Sequence, residues 1–581
     1  MKKVLKEILY KNKFYLLIEA VFIVVQIFLL ALPSKILGEI INYLYNIELY
    51  KNQIYRSIVV FAGMYILILL ARLIWKQLDF KIYLKILKSL KNTMFAKLLK
   101  IKLKDLKKVK NGRIMSYFVS DTKQVASGIQ KLISTSLRII VNFVIIILFM
   151  NETSNFKFTL IVIIPVVITM IIAISLRNRV SNSFKASQKS FTQLSEFVQE
   201  STDSIRTTKA FAGEGIKEKE FEEKNKEVKS NNLNVIKNQN LLDICISTGF
   251  GLSFAIILGY GSMLVINKQM SIGDLVAFNG YLAILEGPVR WVPWLIARVK
   301  KLKVSYKRLD DFMKLNEEKI QIIDRNKYEA LKGDIQIKNL TYNYPGSIER
   351  VLDNVSININ HGENIGIIGV IGSGKTTLMN LLLKLYDVEP GKIFLDGIDI
   401  NEIPIKRIRE NICYITQDNF LFSATLKENI NLFKDEYKDQ EIEESTKNAM
   451  IYEEISNMQE GIYSIIGEKG IDLSGGQKQR VVISRAFLNK SNIVVFDDTF
   501  SALDNKTEQH VLNNIKELTK NKTCIIISNR ISDIKECDKI LVLDQGVIIE
   551  QGNHESLLKN KGKYYEFFEN QAHKAEFEVL A

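Results

Sequence analysis

Cysteine and proline are both scarce in this chain, and their positions exclude as much as their counts do. The four cysteines among 581 residues, Cys245, Cys413, Cys524 and Cys537, show no metal-ligand spacing. Free thiols are expected, and neither a disulfide framework nor a zinc site is. The seven prolines leave residues 76–132 and 177–240 untouched, and there lysine, leucine and phenylalanine recur at helical intervals. Those stretches read as long helices. Internal repeats and low-complexity tracts are absent, as is a small-residue cleavage site after the first apolar stretch, which is therefore expected to be a retained span.

Charge is unbalanced, with 79 Lys and Arg against 64 Asp and Glu and a net charge of +15. No base-reading motif accompanies it, so nucleic acid is not an expected partner. The lysines lie instead where membrane topology uses them. Lys2, Lys3, Lys6, Lys11 and Lys13 precede the first apolar stretch, and more lysines crowd the segments after the second and fourth. The short loops 151–157 and 267–271 carry little charge. Both termini are therefore expected on the cytoplasmic side of a cytoplasmic (plasma) membrane.

A hydrophobic content of 47% with a mean hydropathy near zero divides into an apolar half and an ordinary soluble half. Stretches long enough to cross a bilayer run at 14–32, 57–75, 133–150, 158–176, 241–266 and 272–297. The expected organisation is an α-helical six-span transmembrane domain over 1–313, with long cytoplasmic helical extensions and lipid around it. A linker at 314–332 and a soluble domain over 333–581 follow.

The soluble half carries the chemistry. Gly369, Val370, Ile371, Gly372, Ser373, Gly374, Lys375 and Thr376 fit G-x-x-x-x-G-K-[ST] in full, between an apolar strand and a helix that opens with Thr377. Glycines let backbone N–H groups turn inward on phosphates, Lys375 supplies a charge to the outer ones, and Thr376 offers a hydroxyl to Mg²⁺. The run Ile493-Val-Val-Phe-Asp497 reads as a buried strand whose Asp497 would hold Mg²⁺ through water. Between them lies Leu473, Ser474, Gly475, Gly476 and Gln477, and Ser501-Ala502-Leu503-Asp504 follows.

That set, in that order, resembles the ATP-binding cassette family, which implies an α/β P-loop ATPase cassette over 333–581, and the apolar half resembles the six-span membrane domain of exporters fused to one cassette. The resemblance implies ATP and Mg²⁺ as cofactors and a head-to-tail cassette dimer. In it, the 473–477 signature of one chain would complete the ATP site of another. It also implies roles for Tyr344 as an adenine-stacking ring, Gln417 as a Mg²⁺ sensor, Asp504 as a link between sites and Glu468 in a loop facing the membrane domain. Tyr344 also fits an ordinary half-buried strand, because Tyr342 and Tyr344 alternate. Coupling helices are implied near Asn111-Gly112 and near Ala212 to Gly215, with the 205–211 stretch similar to the family pattern. With the first span opening near Phe14, no preceding peptidase domain is expected.

Two positions depart from the family pattern. Asp498 stands where a catalytic Glu usually follows the strand-end aspartate of the family, here Asp497, and Asn529 stands where a switch His is usual. Asp is one methylene, about 1.5 Å, shorter than Glu, and an Asn amide cannot carry the charge of an imidazolium. Both changes fall in one composite site. The implied reading is one half of a heterodimeric exporter, with impaired hydrolysis at its own site and a second half-transporter as partner. A slow homodimer and an ATP-gated membrane regulator stand as alternatives.

The cargo is not named by the sequence beyond an amphipathic small molecule, lipid or peptide. Glu286 and Arg290, four apart on one helix face and flanked by Pro288 and Pro293, serve either a cargo path or structure alone. Glu19, Arg72 and Arg138 are expected to snorkel towards the cytoplasmic surface.

Overall fold

The computed structural model describes residues 1–109, 111–318, 331–467 and 470–580. Glu468 and most of the linker expected at 314–332 lie outside the described residues. The chain divides into two compact units. One comprises Met1–Lys100 with Val109–Leu315, and the other Ile101–Lys108 with Asn316–Ala581.

The first unit is helical. Its principal helices are α1 (Lys2–Lys11), α2 (Lys13–Leu44), α3 (Ile47–Leu98), α6 (Thr122–Thr153), α7 (Phe156–Asp203), α9 (Glu214–Ile266) and α10 (Ile272–Met313), with α5 (Asn111–Ser116) and α8 (Ile205–Ala210) as short connectors. At about 1.5 Å per residue, the 53 residues of α9 run well past the ~30 Å hydrocarbon core of a bilayer. Such a helix must extend into water, as its lysine-rich N-terminal half requires.

Among the described residues, five helical segments are long and apolar enough to cross a membrane: Lys13–Leu44, Ile47–Leu98, Gly112–Thr153, Phe156–Asp203 and Glu214–Ile266. The stretch expected as the sixth span lies on helix α10, which is not among those five; it carries Asp274, Glu286 and Arg290 and starts in a capping box between Ser271 and Asp274. It packs into the same core, where Phe278, Tyr281 and Leu285 are buried with Phe158, Ile146 and Ile257. Close approach of α2 and α10 rests on glycine. A Cβ on Gly38 would lie 2.5 Å from the Gly273 carbonyl oxygen, so any larger residue would force the helices apart.

Helices α7 and α9 pair along their length, with Ser253 donating to the Val162 carbonyl at 2.7 Å and Asn238 to Ser183 at 2.6 Å. They are joined through α8 and a turn where Ala212 takes a φ of 48°. The turn expected at Ala212 to Gly215 is there. The other expected turn begins earlier than Asn111-Gly112: helix α3 ends at Leu98, and α4 (Leu103–Leu106) belongs to the second unit. Long-range pairing decides this. Lys102 N–H donates to the Asn316 carbonyl at 3.1 Å, and Ile101 pairs with Glu317 in a β-bridge. No local pattern records either contact.

The second unit has two sheets. Strands β1 (Ile335–Tyr342), β2 (Leu352–Ile359), β4 (Ile393–Leu395) and β5 (Ile398–Asp399) form an antiparallel sheet in the order β2-β1-β4-β5. The larger sheet runs β10-β9-β3-β8-β7-β6, from β10 (Val547–Gly552), β9 (Lys539–Asp544), β3 (Asn364–Ile368), β8 (Thr523–Ile527), β7 (Ile493–Asp497) and β6 (Ile412–Ile415). All but β10 are parallel. Strands β7 and β8 are buried throughout, as covered parallel strands must be.

Register positions the chemistry. Ile367 on β3 pairs with Ile527 on β8, Asp497 on β7 pairs with Ile527, and Ile415 on β6 pairs with Phe496. Four parallel strands thus end at one level. The residues that follow them, Gly369, Asn529, Asp498 and Gln417, gather at the carboxyl edge of the sheet, where open α/β sheets bind ligands.

Candidate nucleotide site

The loop between β3 and α11 (Lys375–Leu382) is tightly constrained. Gly374 has a φ of 102°, and a Cβ there would lie 2.8 Å from the Val351 carbonyl. A Cβ on Gly369 would lie 2.0 Å from the Leu543 carbonyl. Lys375 Nζ donates to the carbonyls of Gly369 at 2.6 Å and Val370 at 3.0 Å, so its ammonium lies across the loop. Burial lowers the Lys375 pKa, and the charges of Asp497 and Asp498 oppose that shift. Ser373 is buried, and its hydroxyl has no hydrogen-bond partner among the described residues. That orphaned group and the glycine cradle fit a phosphate chain.

Asp497 closes the strand side. Burial raises its pKa, while hydrogen bonds from Tyr414 and Thr376 lower it. Tyr414 Oη donates to Asp497 Oδ2 at 2.7 Å. A buried carboxylate beside a threonine hydroxyl is an all-oxygen donor set that fits a hard divalent cation. Asp498, next in the chain, sits in the left-handed region at a φ of 47°. Its N–H donates to the Ile527 carbonyl at 2.8 Å, and its Oδ2 accepts from Gln417 Nε2 at 3.2 Å. Gln417 therefore touches Asp498, one of the two residues that depart from the family pattern.

Asn529 is exposed just beyond β8, its carbonyl accepting from Gln571 Nε2 at 2.8 Å. Tyr344 lies just past β1. Its hydroxyl is 3.0 Å from Thr377 Oγ1, and its ring meets Tyr386 edge-on at 5.2 Å.

The signature stretch forms the start of α16 (Gly475–Leu488). Leu473 is buried, and Ser474 caps the helix in a capping box with Gln477, so the Ser474 N–H donates to Gln477 Oε1 at 3.0 Å. Gly475 has open space around it, and a Cβ on Gly476 would lie 3.0 Å from the Ala502 carbonyl. Asp504 caps α17 (Asn505–Thr519), accepting from the Thr507 N–H at 3.0 Å.

Sequence reasoning missed four contacts. Tyr414 on Asp497 is one, and a second is Gln479, buried, whose Oε1 accepts from the Ala502 N–H at 3.0 Å and ties the signature helix to the 501–504 turn. The third is Asp387, which accepts from Lys102 at 2.7 Å and also from Lys104. Gln571 on the Asn529 segment is the fourth. Only Gln479, two residues beyond the signature, had a positional signal in the sequence.

In the membrane unit, Arg290 bonds Glu286 at 2.8 Å, Asp243 at 2.7 Å and Ser247 at 3.2 Å, joining α9 to α10. Glu19 does not snorkel. It is buried and accepts from Gln130 at 3.0 Å. Arg138 stacks between Trp75, 4.4 Å from its centroid, and Trp291 at 5.1 Å.

A P-loop domain at the carboxyl edge of a parallel sheet, following a bundle of apolar helices, defines a membrane protein with an ATP-binding cassette. Residues 16–289 match the family model of the ABC transporter transmembrane region, and residues 352–501 match the ABC transporter family model. A probable multidrug resistance ABC transporter ATP-binding/permease protein of Bacillus subtilis is 34% identical over 80% of this chain and 79% of its own length. An ATP-dependent lipid A-core flippase of Wigglesworthia glossinidia brevipalpis is 30% identical, with 83% of each chain covered. The solved structure of a bacterial Atm1-family ABC exporter with ATP bound shares the fold, with a TM-score of 0.79 at 22% identity over 97% of this chain and 99% of that one. The chain belongs to the ABC transporter family, as an exporter-type half-transporter with one membrane domain and one cassette.

Proposed function

We propose that this chain is one half of a heterodimeric exporter whose own ATP site hydrolyses slowly and whose signature completes a competent site on its partner. The observation that carries the reading is the adjacency of the two departures. Asp498 and Asn529 follow neighbouring strands, and the Asp498 N–H bonds the last residue of β8. They act on one nucleotide, so their losses compound. Asp498 holds its carboxylate one methylene back from where a Glu would reach, and Asn529 offers a neutral amide in place of a chargeable ring.

Gly369 to Thr377 would bind the phosphates, Tyr344 the adenine, and Thr376, Asp497 and Gln417 a Mg²⁺ ion. That cation would neutralise charge on the phosphates. Ser474, Gly475 and Gly476 would act on the partner's nucleotide, with Asp504 linking the two sites. The lysine-rich N-terminus and inter-span segments support cytoplasmic termini in a plasma membrane. Relatives named for multidrug export and lipid flipping support an amphipathic cargo.

The test is reconstitution of the full chain, alone and with a second half-transporter that has an intact catalytic Glu and switch His, followed by ATP hydrolysis and uphill transport of an amphipathic dye. Slow hydrolysis alone and fast hydrolysis with the partner are expected. Lys375→Ala should leave residual turnover, whereas Ser474→Ala or Gly476→Ala should remove most of it. Fast hydrolysis by the single chain, or equal and complete loss whichever chain's Walker lysine is changed, would replace the heterodimer with a homodimer.

A further inference from the structure

The segment that carries Asn529 leaves the sheet after Ile527, so its backbone needs partners from elsewhere. Ser528 finds them locally: its N–H reaches the Ile367 carbonyl at 3.2 Å, and its hydroxyl accepts from the Arg530 N–H at 2.9 Å and donates to Asp533 at 2.5 Å. Arg530 pairs with Glu508 at 2.6 Å and reaches Asn505 at 3.2 Å. Positions 528 and 530 are thus held by their side chains. The Asn529 carbonyl and the Ile531 N–H are held by one group, the carboxamide of Gln571 on the C-terminal helix α20 (Lys563–Leu580). Gln571 Nε2 donates to Asn529 O at 2.8 Å, and Oε1 accepts from Ile531 N at 2.9 Å.

The geometry is that of a β-bridge made by a side chain. One amide orientation satisfies both contacts and the flipped one satisfies neither, which fixes the carboxamide. The helix behind it is anchored. Glu550 accepts from the N–H groups of Lys563 and Tyr564, Tyr564 is fully buried with its hydroxyl 2.7 Å from His554 Nδ1, and Phe567 packs on the same core. Tyr564, Phe567 and Gln571 are spaced i, i+3, i+7, so one face of α20 carries both the anchor and the clamp.

We infer that Gln571 is a positioning residue for the side chain at 529: the C-terminal helix sets where that side chain stands relative to the terminal phosphate of ATP. The inference rests on the reading of Asn529 as the switch position. It assigns α20 a role in hydrolysis although the helix touches no part of the phosphate loop among the described contacts.

The experiment uses the purified full-length chain and measures kcat and KM for ATP. In an Asp498→Glu, Asn529→His background, Gln571→Ala should lower kcat about ten-fold with KM changed less than about two-fold, the effect of a displaced catalytic group. Gln571→Met, of similar length and without a carboxamide, should be as impaired. In an Asp498→Glu, Asn529→Ala background, the same changes at 571 should have no effect, because no functional side chain remains to be positioned. Equal losses in both backgrounds, or recovery with Met, would mean packing or fold and overturn the inference. If Asn529→His itself leaves turnover where Asn529→Ala does, the switch reading fails and the inference fails with it. If Asn529→His raises turnover but Gln571→Ala leaves it high, the inference alone fails.

Discussion

Gln417 Nε2 and Asp498 Oδ2 lie 3.2 Å apart, so the side chain after β6 and the side chain after β7 are joined. Asp498 is held in a left-handed backbone conformation with its N–H fixed to Ile527, so a longer side chain at this position carries its carboxylate further from a fixed backbone. Asp498→Glu with Asn529→His supplies that length and a chargeable ring. Because this chain keeps Leu473 to Gln477 unaltered, a preparation of the doubly changed chain contains every part of a complete site. ATP hydrolysis is expected to rise about ten-fold or more, the usual scale of a restored general base. With a partner whose signature is altered, the rise should be smaller. No rise in the single chain would show that these two positions do not limit turnover.

The phosphate loop should tolerate no methyl group at two of its glycines. A Cβ at Gly369 would meet the Leu543 carbonyl at 2.0 Å, and one at Gly374 would meet backbone at 2.8 Å with an unfavourable φ. Gly369→Ala and Gly374→Ala are expected to weaken binding of a fluorescent ATP analogue at least ten-fold. Gly372→Ala has open space but a φ of 87°, so it should cost about 1 kcal/mol in backbone strain and less in binding. Equal effects at all three positions would argue against the steric account.

What could be read from the sequence was what the chain holds at fixed covalent spacing. Gly369 to Thr376 is legible because glycines, lysine and threonine must fall at set offsets between a strand and a helix, and the apolar run to Asp497 is legible because a covered strand allows nothing else. The position of Asp498 beside the Asn529 segment is a matter of strand order, which no offset records. Lys102 and Asp387 are separated by 285 residues and Gln571 and Asn529 by 42, and their contacts follow from docking of surfaces. The same holds for Glu19. An acidic residue near a helix end reads as a snorkelling group, and only the packing of α2 against α6 shows that Gln130 takes it inside.

Glu508 on α17 gives the cassette a pH dependence of definite sign. Burial, together with the neighbouring carboxylate of Asp533, pushes its pKa up to about 7, against the opposing pull of Arg530 and Ser532. An unfolded Glu titrates near 4.3. Between those values the folded chain binds a proton that the unfolded chain does not, so stability is greatest below the lower value and is lost as pH rises through the upper one. At about 1.4 kcal/mol per pKa unit, the gap between those two values is worth at most about 4 kcal/mol, and less to the extent that solvent screens the group. Melting of the cassette in the full-length chain should therefore occur at a lower temperature at pH 8 than at pH 5.5. Glu508→Gln, which is neutral throughout, should flatten that difference, raising the melting temperature more at pH 8 than at pH 5.5. A variant whose melting temperature keeps the pH slope of the parent would show that Glu508 is already ionised at low pH, with Arg530 outweighing burial and Asp533.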